Sequence, residues 1–250
     1  MARMGLVGAF LAWMSVGAAA AGPRDLVVGV EELDYYPVYA VQDGDYRGAA
    51  REIIDAFAKD RGYAVSYRPL PIKRLFAELL SGGIDMKFPD NPYWAGDIKK
   101  GYAVAYSTPV IRYIDGVLVL PRNVGREADA VRVLGTVSGF TPFAWAARVR
   151  DGRVQVKENP RMELLLKQAM VGRFDGAYAS VAVANYALEH QLGSPGGLVF
   201  DPRLPHSRDA YMLSSLKRAD VVADFNRWMA DNAARVQAIK DRLGAEKGLD

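Results

Sequence analysis

The sequence predicts an α/β protein of two lobes, each a mainly parallel sheet flanked by helices, joined by a two-stranded hinge. Three observations carry this. A strand–helix–strand–helix–strand pattern runs through residues 26–88 and recurs through residues 131–192, and parallel strands require such crossovers. An extended run, Gly116-Val117-Leu118-Val119-Leu120-Pro121, joins the two units, and a second, residues 198–213, returns the chain to the first. The 250 residues are 50% apolar and 24% charged with no cysteine, which excludes a disordered chain, a collagen-like fibre and a disulfide scaffold. Two crossings between lobes imply a hinge and a cleft that opens and shuts. One continuous sheet without a hinge is the alternative the pattern leaves open.

The first residues read as an address. Met1-Ala2-Arg3 is a short positive start, Gly5 to Val16 is apolar except Ser15, and Ala18-Ala19-Ala20-Ala21-Gly22 is a run of small residues. The apolar stretch is about 12 residues, against roughly 20 for a membrane span. A signal peptide is expected over residues 1–21, which sends the mature chain to the periplasm; an uncleaved anchor is the competing reading. No cysteine follows the apolar run, so a lipid anchor has no attachment point. Lobe 1 is expected over residues 22–118 and 201–250, and lobe 2 over residues 119–200.

In the first unit Leu26-Val27-Val28-Gly29-Val30 is the continuous apolar run of a buried parallel strand. An aromatic loop (Tyr35, Tyr36, Pro37, Tyr39) and a turn at Asp43-Gly44-Asp45 follow. Gly48 opens a helix with Ala50, Ile53, Ile54 and Phe57 on one face, ending near Gly62. Residues 63–70 alternate as a strand, and Pro71 starts a helix with Ile72, Leu75, Phe76, Leu79 and Leu80 on one side. Ser81-Gly82-Gly83 stops it before a third strand over residues 84–88.

The second unit repeats the order: a strand over 131–137, a helix opened by Thr141-Pro142 and running to about Val149, a strand over 153–156, a helix over 160–171, a strand over 174–178 and a helix over 181–192. Two helices close the chain, one with Val221, Val222, Phe225, Trp228 and Met229 inward, the next with Val236, Ile239 and Leu243. Trp145 and Trp228 fall on apolar helix faces and are expected in the core.

Much chemistry is missing. With two histidines, His190 and His206, in unlike contexts, no histidine-based metal site assembles; a carboxylate-only cation site stays open without a clustered signature, and no metal or cofactor is expected. There is no phosphate-cradling glycine loop, no Gly-x-Ser-x-Gly and no dinucleotide fingerprint. The net charge of +3 is spread along the chain, which argues against nucleic acid as a partner.

The motifs in order carry a resemblance. "Tyr46-Arg47-Gly48", "Pro71-Ile72-Lys73-Arg74-Leu75", "Ser81-Gly82-Gly83-Ile84-Asp85", "Tyr106-Ser107-Thr108-Pro109", "Val133-Leu134-Gly135-Thr136-Val137-Ser138-Gly139" and "Phe174-Asp175-Gly176-Ala177-Tyr178" resemble the family 3 extracellular solute-binding proteins, receptors of polar amino acid uptake. The resemblance spans nearly the whole mature chain. It implies a periplasmic-binding-protein-like fold that clamps a small polar ligand, an amino acid or related carboxylate, and delivers it as a monomer to an ABC-type membrane permease, without catalysis. Two other functions stay open: a cyclohexadienyl dehydratase-like enzyme, with Asp90 or Glu52 as its acid, and a ligand-sensing partner of a membrane receptor.

The family's site transfers unevenly. Its carboxylate-holding turn falls on Ser138-Gly139-Phe140-Thr141, where Thr141 either helps hold an anion at a helix start or only caps the helix. The family's clamping arginine is replaced by Pro92-Tyr93-Trp94-Ala95-Gly96-Asp97, so Lys87 or Arg112 is expected to supply the cation. The amine-binding aspartate falls on Ser180. Asp90, with Asn91 beside it, either takes over the amine or forms a turn. Tyr35, Tyr36, Tyr93 and Trp94 follow strands at their carboxyl ends, where ligands bind open α/β sheets, and at least two are expected to face the cleft. The expected ligand contacts are therefore Tyr36, Lys87, Asp90, Asn91, Trp94, Arg112, Ser138, Thr141 and Ser180. Asp175 is expected to be structural.

Overall fold

A computed structural model describes residues 24–249 of the chain; the expected signal peptide lies outside them. The first unit is β1 (Arg24–Glu31), β2 (Asp34–Tyr35), β3 (Tyr39–Gln42), β4 (Asp45–Arg47), α1 (Ala49–Arg61), β5 (Tyr63–Leu70), α2 (Ile72–Ser81) and β6 (Met86–Asp90). Then come α3 (Gly96–Lys99), β7 (Ala105–Tyr106) and β8 (Ile111–Val119). The second unit is β9 (Val133–Val137), α4 (Ala146–Arg150), β10 (Gln155–Asn159), α5 (Met162–Met170), β11 (Gly176–Ser180) and α6 (Val181–Tyr186). The chain closes with β12 (Val199–Phe200), β13 (Ser207–Ser215), α7 (Ala219–Asp231) and α8 (Ala233–Leu243).

Strand β1 pairs in parallel with β5 and β6, and β9 in parallel with β10 and β11. Two antiparallel strands join these groups, β8 against β11 and β13 against both β8 and β6, giving the order β10-β9-β11-β8-β13-β6-β1-β5. Strand β13 changes partner midway. Ser207 to Tyr211 lie on β8 and Met212 onward on β6, with a register irregularity between Met212 and Ser214. This pair is the predicted two-stranded connection.

Several boundaries move. Strands β6, β9, β10 and β11 each begin two residues later than the pattern places them, at 86, 133, 155 and 176 rather than 84, 131, 153 and 174. Two aspartates explain the shift in corresponding places. Asp85 accepts a hydrogen bond from the Val27 N–H (2.7 Å) and Asp175 from the N–H groups of Arg132 and Val133 (both 2.8 Å). Each carboxylate replaces a ladder carbonyl just ahead of its strand, so Asp175 is structural as expected. The aromatic loop after β1 is instead a small sheet, β2-β3-β4. Its β3–β4 turn has Asp43 and Gly44 both at positive φ (53° and 79°), the backbone of a two-residue hairpin. The expected strand over 198–213 is split at Asp201, whose buried carboxylate accepts from the Gly125 and Arg203 N–H groups (2.6 and 3.0 Å).

Helix α1 fits its pattern, bounded by Gly48 and by Gly62 at φ 69°. Its Phe57 meets Phe225 and Trp228 of α7 edge-on, with centroids 5.1 and 5.9 Å apart. Trp228 is buried and its indole N–H donates to Asp60 (2.8 Å); Trp145, also buried, donates to the Pro205 carbonyl (2.9 Å). Among the described residues no helix is long and apolar enough to cross a membrane. Phe57→Ala should lower the urea midpoint by the equivalent of about 3–5 kcal/mol with the denaturant slope unchanged; a loss under 1 kcal/mol would remove this cluster from the core.

Candidate functional site

A cavity of about 540 Å³ opens where the carboxyl end of β1, the middle of β8 and β13, the start of α2 and the 94–98 and 139–143 loops converge. Glu31 and Asp115 supply its carboxylates; Tyr39, Phe76, Trp94, Phe140, Phe143 and Tyr211 its rings. Lys73 and Thr141 also line it and are exposed, whereas Glu31, Asp115, Tyr39 and Tyr211 are buried. Contacts between the two units close it from below: the Ser180 N–H donates to the Tyr35 hydroxyl (3.2 Å), and the Tyr35 and Phe140 rings lie 5.8 Å apart. Gly139, at φ 86°, approaches α2 so closely that a Cβ there would stand 3.3 Å from Ile72 Cδ1, so backbone conformation and space both call for glycine.

The strand pleat explains what faces the cavity. Residues paired across a ladder share a face, and alternate residues along a strand share it too. Asp115 pairs with Ser207 and with Ser180, and Tyr113 with Asp209. One face of the hinge strands thus carries Tyr113, Asp115, Ser180, Asp209 and Tyr211. Burial, with the charge of Asp209 adding to it, pushes the Asp115 carboxyl up to about 8. Burial also raises Glu31, opposed by the Lys87 charge and by the hydrogen bond Glu31 accepts from the Tyr39 hydroxyl (2.5 Å). The Tyr39 and Tyr211 phenols are held far above their ordinary range, burial first and nearby carboxylates second, so both remain protonated.

Behind the aromatic wall lies a buried ionic network. The Lys87 ammonium sits 4.2 Å from the Phe76 ring centroid and 5.9 Å from that of Trp94. It donates to the Pro89 carbonyl and lies 3.7 Å from Asp90. Asp90 also accepts from Ser214 (2.6 Å) and Lys99 (3.3 Å), and Lys99 donates further to the Asn91 carbonyl (2.7 Å) and the Tyr106 hydroxyl (2.8 Å). Asn91 donates to the Ala210 carbonyl (3.1 Å) and accepts from the Tyr93 N–H (3.0 Å), an Asx turn. These bonds fix the loop that carries Trp94.

Of the nine expected contacts, Trp94 and Thr141 line the cavity. Lys87, Asp90 and Asn91 are fully buried in the network behind it, and Ser180 is buried beneath it. Tyr36 packs on Tyr186 (4.8 Å) in a separate depression, Ser138 donates to the Asn159 carbonyl (3.2 Å), and Arg112 pairs with Glu246 (3.0 Å). Of the four loop aromatics one, Trp94, reaches the cavity: Tyr35 is buried below it and Tyr93 is 81% exposed. Thr141 caps no helix, because Pro142 (φ −77°, ψ 75°) is not helical. The Thr141 carbonyl accepts from the Phe143 N–H (2.9 Å), and a 3-10 turn over Phe143–Trp145 precedes α4. The five-residue α4 is accordingly no anion-binding helix start. Glu31, Tyr39, Asp115 and Tyr211 were not among the expected contacts. For Asp115 a signal exists, a lone acid within Ile114-Asp115-Gly116-Val117-Leu118, since a charge inside an apolar strand demands a partner.

No protein-family model matches the chain, and no curated protein matches it. Solved structures do. A histidine kinase sensor domain with similarity to periplasmic binding proteins superposes with TM-score 0.70 at 19% identity, over 88% of this chain and 96% of that one. An ancestral arginine-binding protein bound to arginine gives 0.69 at 19%, over 88% and 97%. An ABC uptake transporter substrate-binding protein from Streptococcus pneumoniae with bound histidine gives 0.69 at 23%, over 88% and 92%. The likeness shows the fold, an α/β periplasmic-binding-protein-like fold.

The raised Asp115 has a signed consequence. Its folded-state carboxyl stays protonated above the pH at which the unfolded chain ionises, so its stabilising contribution is complete below about pH 4 and is lost as pH rises to about 8. Asp115→Asn abolishes that loss. The melting temperature of the variant relative to the unaltered protein should therefore be higher at pH 9 than at pH 5, by about 5 °C or more. A difference independent of pH would place Asp115 in water.

Proposed function

We propose that the protein is a periplasmic solute-binding protein that closes its two lobes on a small polar ligand, an amino acid or a related compound, and delivers it as a monomer to an ABC-type permease. The lobes are taken as residues 22–118 with 201–250, and residues 119–200, with β8 and β13 as the connection. The observation that carries the reading is the cavity itself. Its volume suits a small molecule, its walls come from both units, and polar groups on them converge among aromatic rings. Closure removes water there and strengthens each polar contact. The likeness to binding proteins that hold arginine or histidine supports the same reading.

Within it, Trp94 and Thr141 touch the ligand together with Glu31, Tyr39, Asp115 and Tyr211, while Lys87, Asp90, Asn91 and Ser180 hold the walls in place. A dehydratase-like enzyme ranks behind, because neither of its candidate acids lines the cavity: Asp90 is bonded to Ser214 and Lys99, and Glu52 is paired with Arg242 on the surface. A sensory role keeps one specific support, the superposition on a kinase sensor domain. Stimulation of kinase autophosphorylation rather than of ATP-driven uptake by the liganded protein would select it.

A thermal-shift panel of amino acids, small carboxylates and amines tests the binding reading. At least one compound should raise the melting temperature, with about 2.7 kcal/mol of added stability at a hundredfold excess over its dissociation constant. Trp94→Ala should weaken that compound about tenfold or more, through loss of a desolvated aromatic contact. Silence across the panel would overturn the proposal.

A further inference from the structure

Three polar side-chain atoms on the hinge-strand face are buried without a hydrogen-bond partner among the described residues: Asp115 Oδ1, the Tyr211 hydroxyl and Ser180 Oγ. A buried polar atom left without a hydrogen bond is costly, so native proteins seldom retain one without a use. Asp115 and Tyr211 both line the cavity, and Ser180 stands in register with Asp115 across the β11–β8 ladder. Asp115 is only 7% exposed. The two buried lysines, Lys87 and Lys99, are both engaged with Asp90, and among the described residues no lysine or arginine forms an ion pair with Asp115.

Acids flank Asp115, while the cavity's lysine, Lys73, is exposed at the start of α2. Glu31 lines the same cavity, and the charge of Asp209 on β13 acts on Asp115 directly. The buried groups behind and beneath the cavity comprise three acids, Glu31, Asp90 and Asp115, against two cations, Lys87 and Lys99. With both lysines engaged by Asp90, Glu31 and Asp115 have no ion-pair partner among the described residues; Glu31 accepts from the Tyr39 hydroxyl, whereas Asp115 Oδ1 accepts from nothing. The rings on the same walls, Tyr39, Trp94, Phe140 and Tyr211, present faces that attract a cation.

We propose that Asp115, with the Tyr211 hydroxyl on the same wall, receives the protonated amine or guanidinium of the ligand, which makes the ligand a cation with N–H donors. Its N–H groups donate to Asp115 Oδ1 and to the Tyr211 oxygen, satisfying both buried atoms and completing the ion pair. Burial favours the neutral acid in the empty site, and the incoming cation restores the carboxylate. Any carboxylate on the ligand points away, toward the exposed Lys73 and Thr141. This inference rests on the solute-binding reading and adds the charge of the ligand to it.

Titration calorimetry of the unaltered full chain at pH 8 with ligands matched in shape but not in charge tests it: lysine against norleucine, arginine against citrulline, cadaverine against pentanol, with glutamate as the anion. In at least one pair the cationic member should bind tenfold or more tightly than its neutral partner. Asp115→Asn should then weaken that cation tenfold or more, and Tyr211→Phe several-fold, with the unfolding transition intact. Should Asp115→Asn not fold, Asp115→Ser and the paired titrations on the unaltered chain decide. Binding of a neutral member or glutamate as tight as that of the cations overturns the charge assignment and leaves the solute-binding reading standing. So does cation binding indifferent to residue 115. If none of these compounds binds and the wider panel is also silent, both fail together.

Discussion

The antiparallel ladder between β8 and β13 is the constraint on which the other features depend. Strand β13 spends its first half on β8 and its second on β6, so one extended segment belongs to both parallel groups. Paired residues in a ladder face the same way, and that alternation sends Asp115 and Tyr211 to the cavity side while Ile114 turns to the opposite core. A slip of one residue would put the acid into an apolar core and take Asp115 and Tyr211 off the cavity wall. Register here decides which side chains line the cavity.

The buried charges form the second level. Removing an ion from water costs several kcal/mol, recovered only with good partners. Lys99 and Asp90 meet that condition through Asn91, Tyr106 and Ser214, and so hold the 91–99 loop against β6 and β13. Trp94 is carried on that loop, and its ring reaches Tyr211 and Tyr113 at centroid distances of 5.9 and 6.2 Å. The buried network therefore sets the position of an aromatic wall it does not itself form. Lys87, Asp90 and Asn91, read in the sequence as ligand contacts, are buried and do not line the cavity.

The two βαβαβ units were legible because each rests on local periodicity. Helix α1 lies between Gly48 and Gly62 as its apolar spacing requires, and β5 has the expected bounds, Tyr63–Leu70. The two-residue delay of β6, β9 and β11 was not legible, since the Asp85 and Asp175 carboxylates bond to backbone distant in sequence. Thr141-Pro142 reads as a helix start by residue type, yet the ψ of 75° at Pro142 breaks the helical course. Trp94, expected from its place after a strand end, and Thr141, expected from the resemblance, both line the cavity. Tyr36 is expected from a strand end, and Arg112 and Ser138 from the resemblance, but these three are engaged by Tyr186, Glu246 and Asn159.

Apolar spacing and turn residues alone determined the fold class, the order of elements and the two-stranded connection, because burial of a helix face or a strand is written every few residues. Which side chains meet was decided in three dimensions. Glu31 and Asp115 lie more than eighty residues apart and line one cavity because β13 and β6, paired with each other, join β8 to β1 in the sheet. That Asp115 has no ion-pair partner among the described residues is a property of that assembled space: Lys87 and Lys99 lie nearer in sequence to Asp90, and their charge is already committed there.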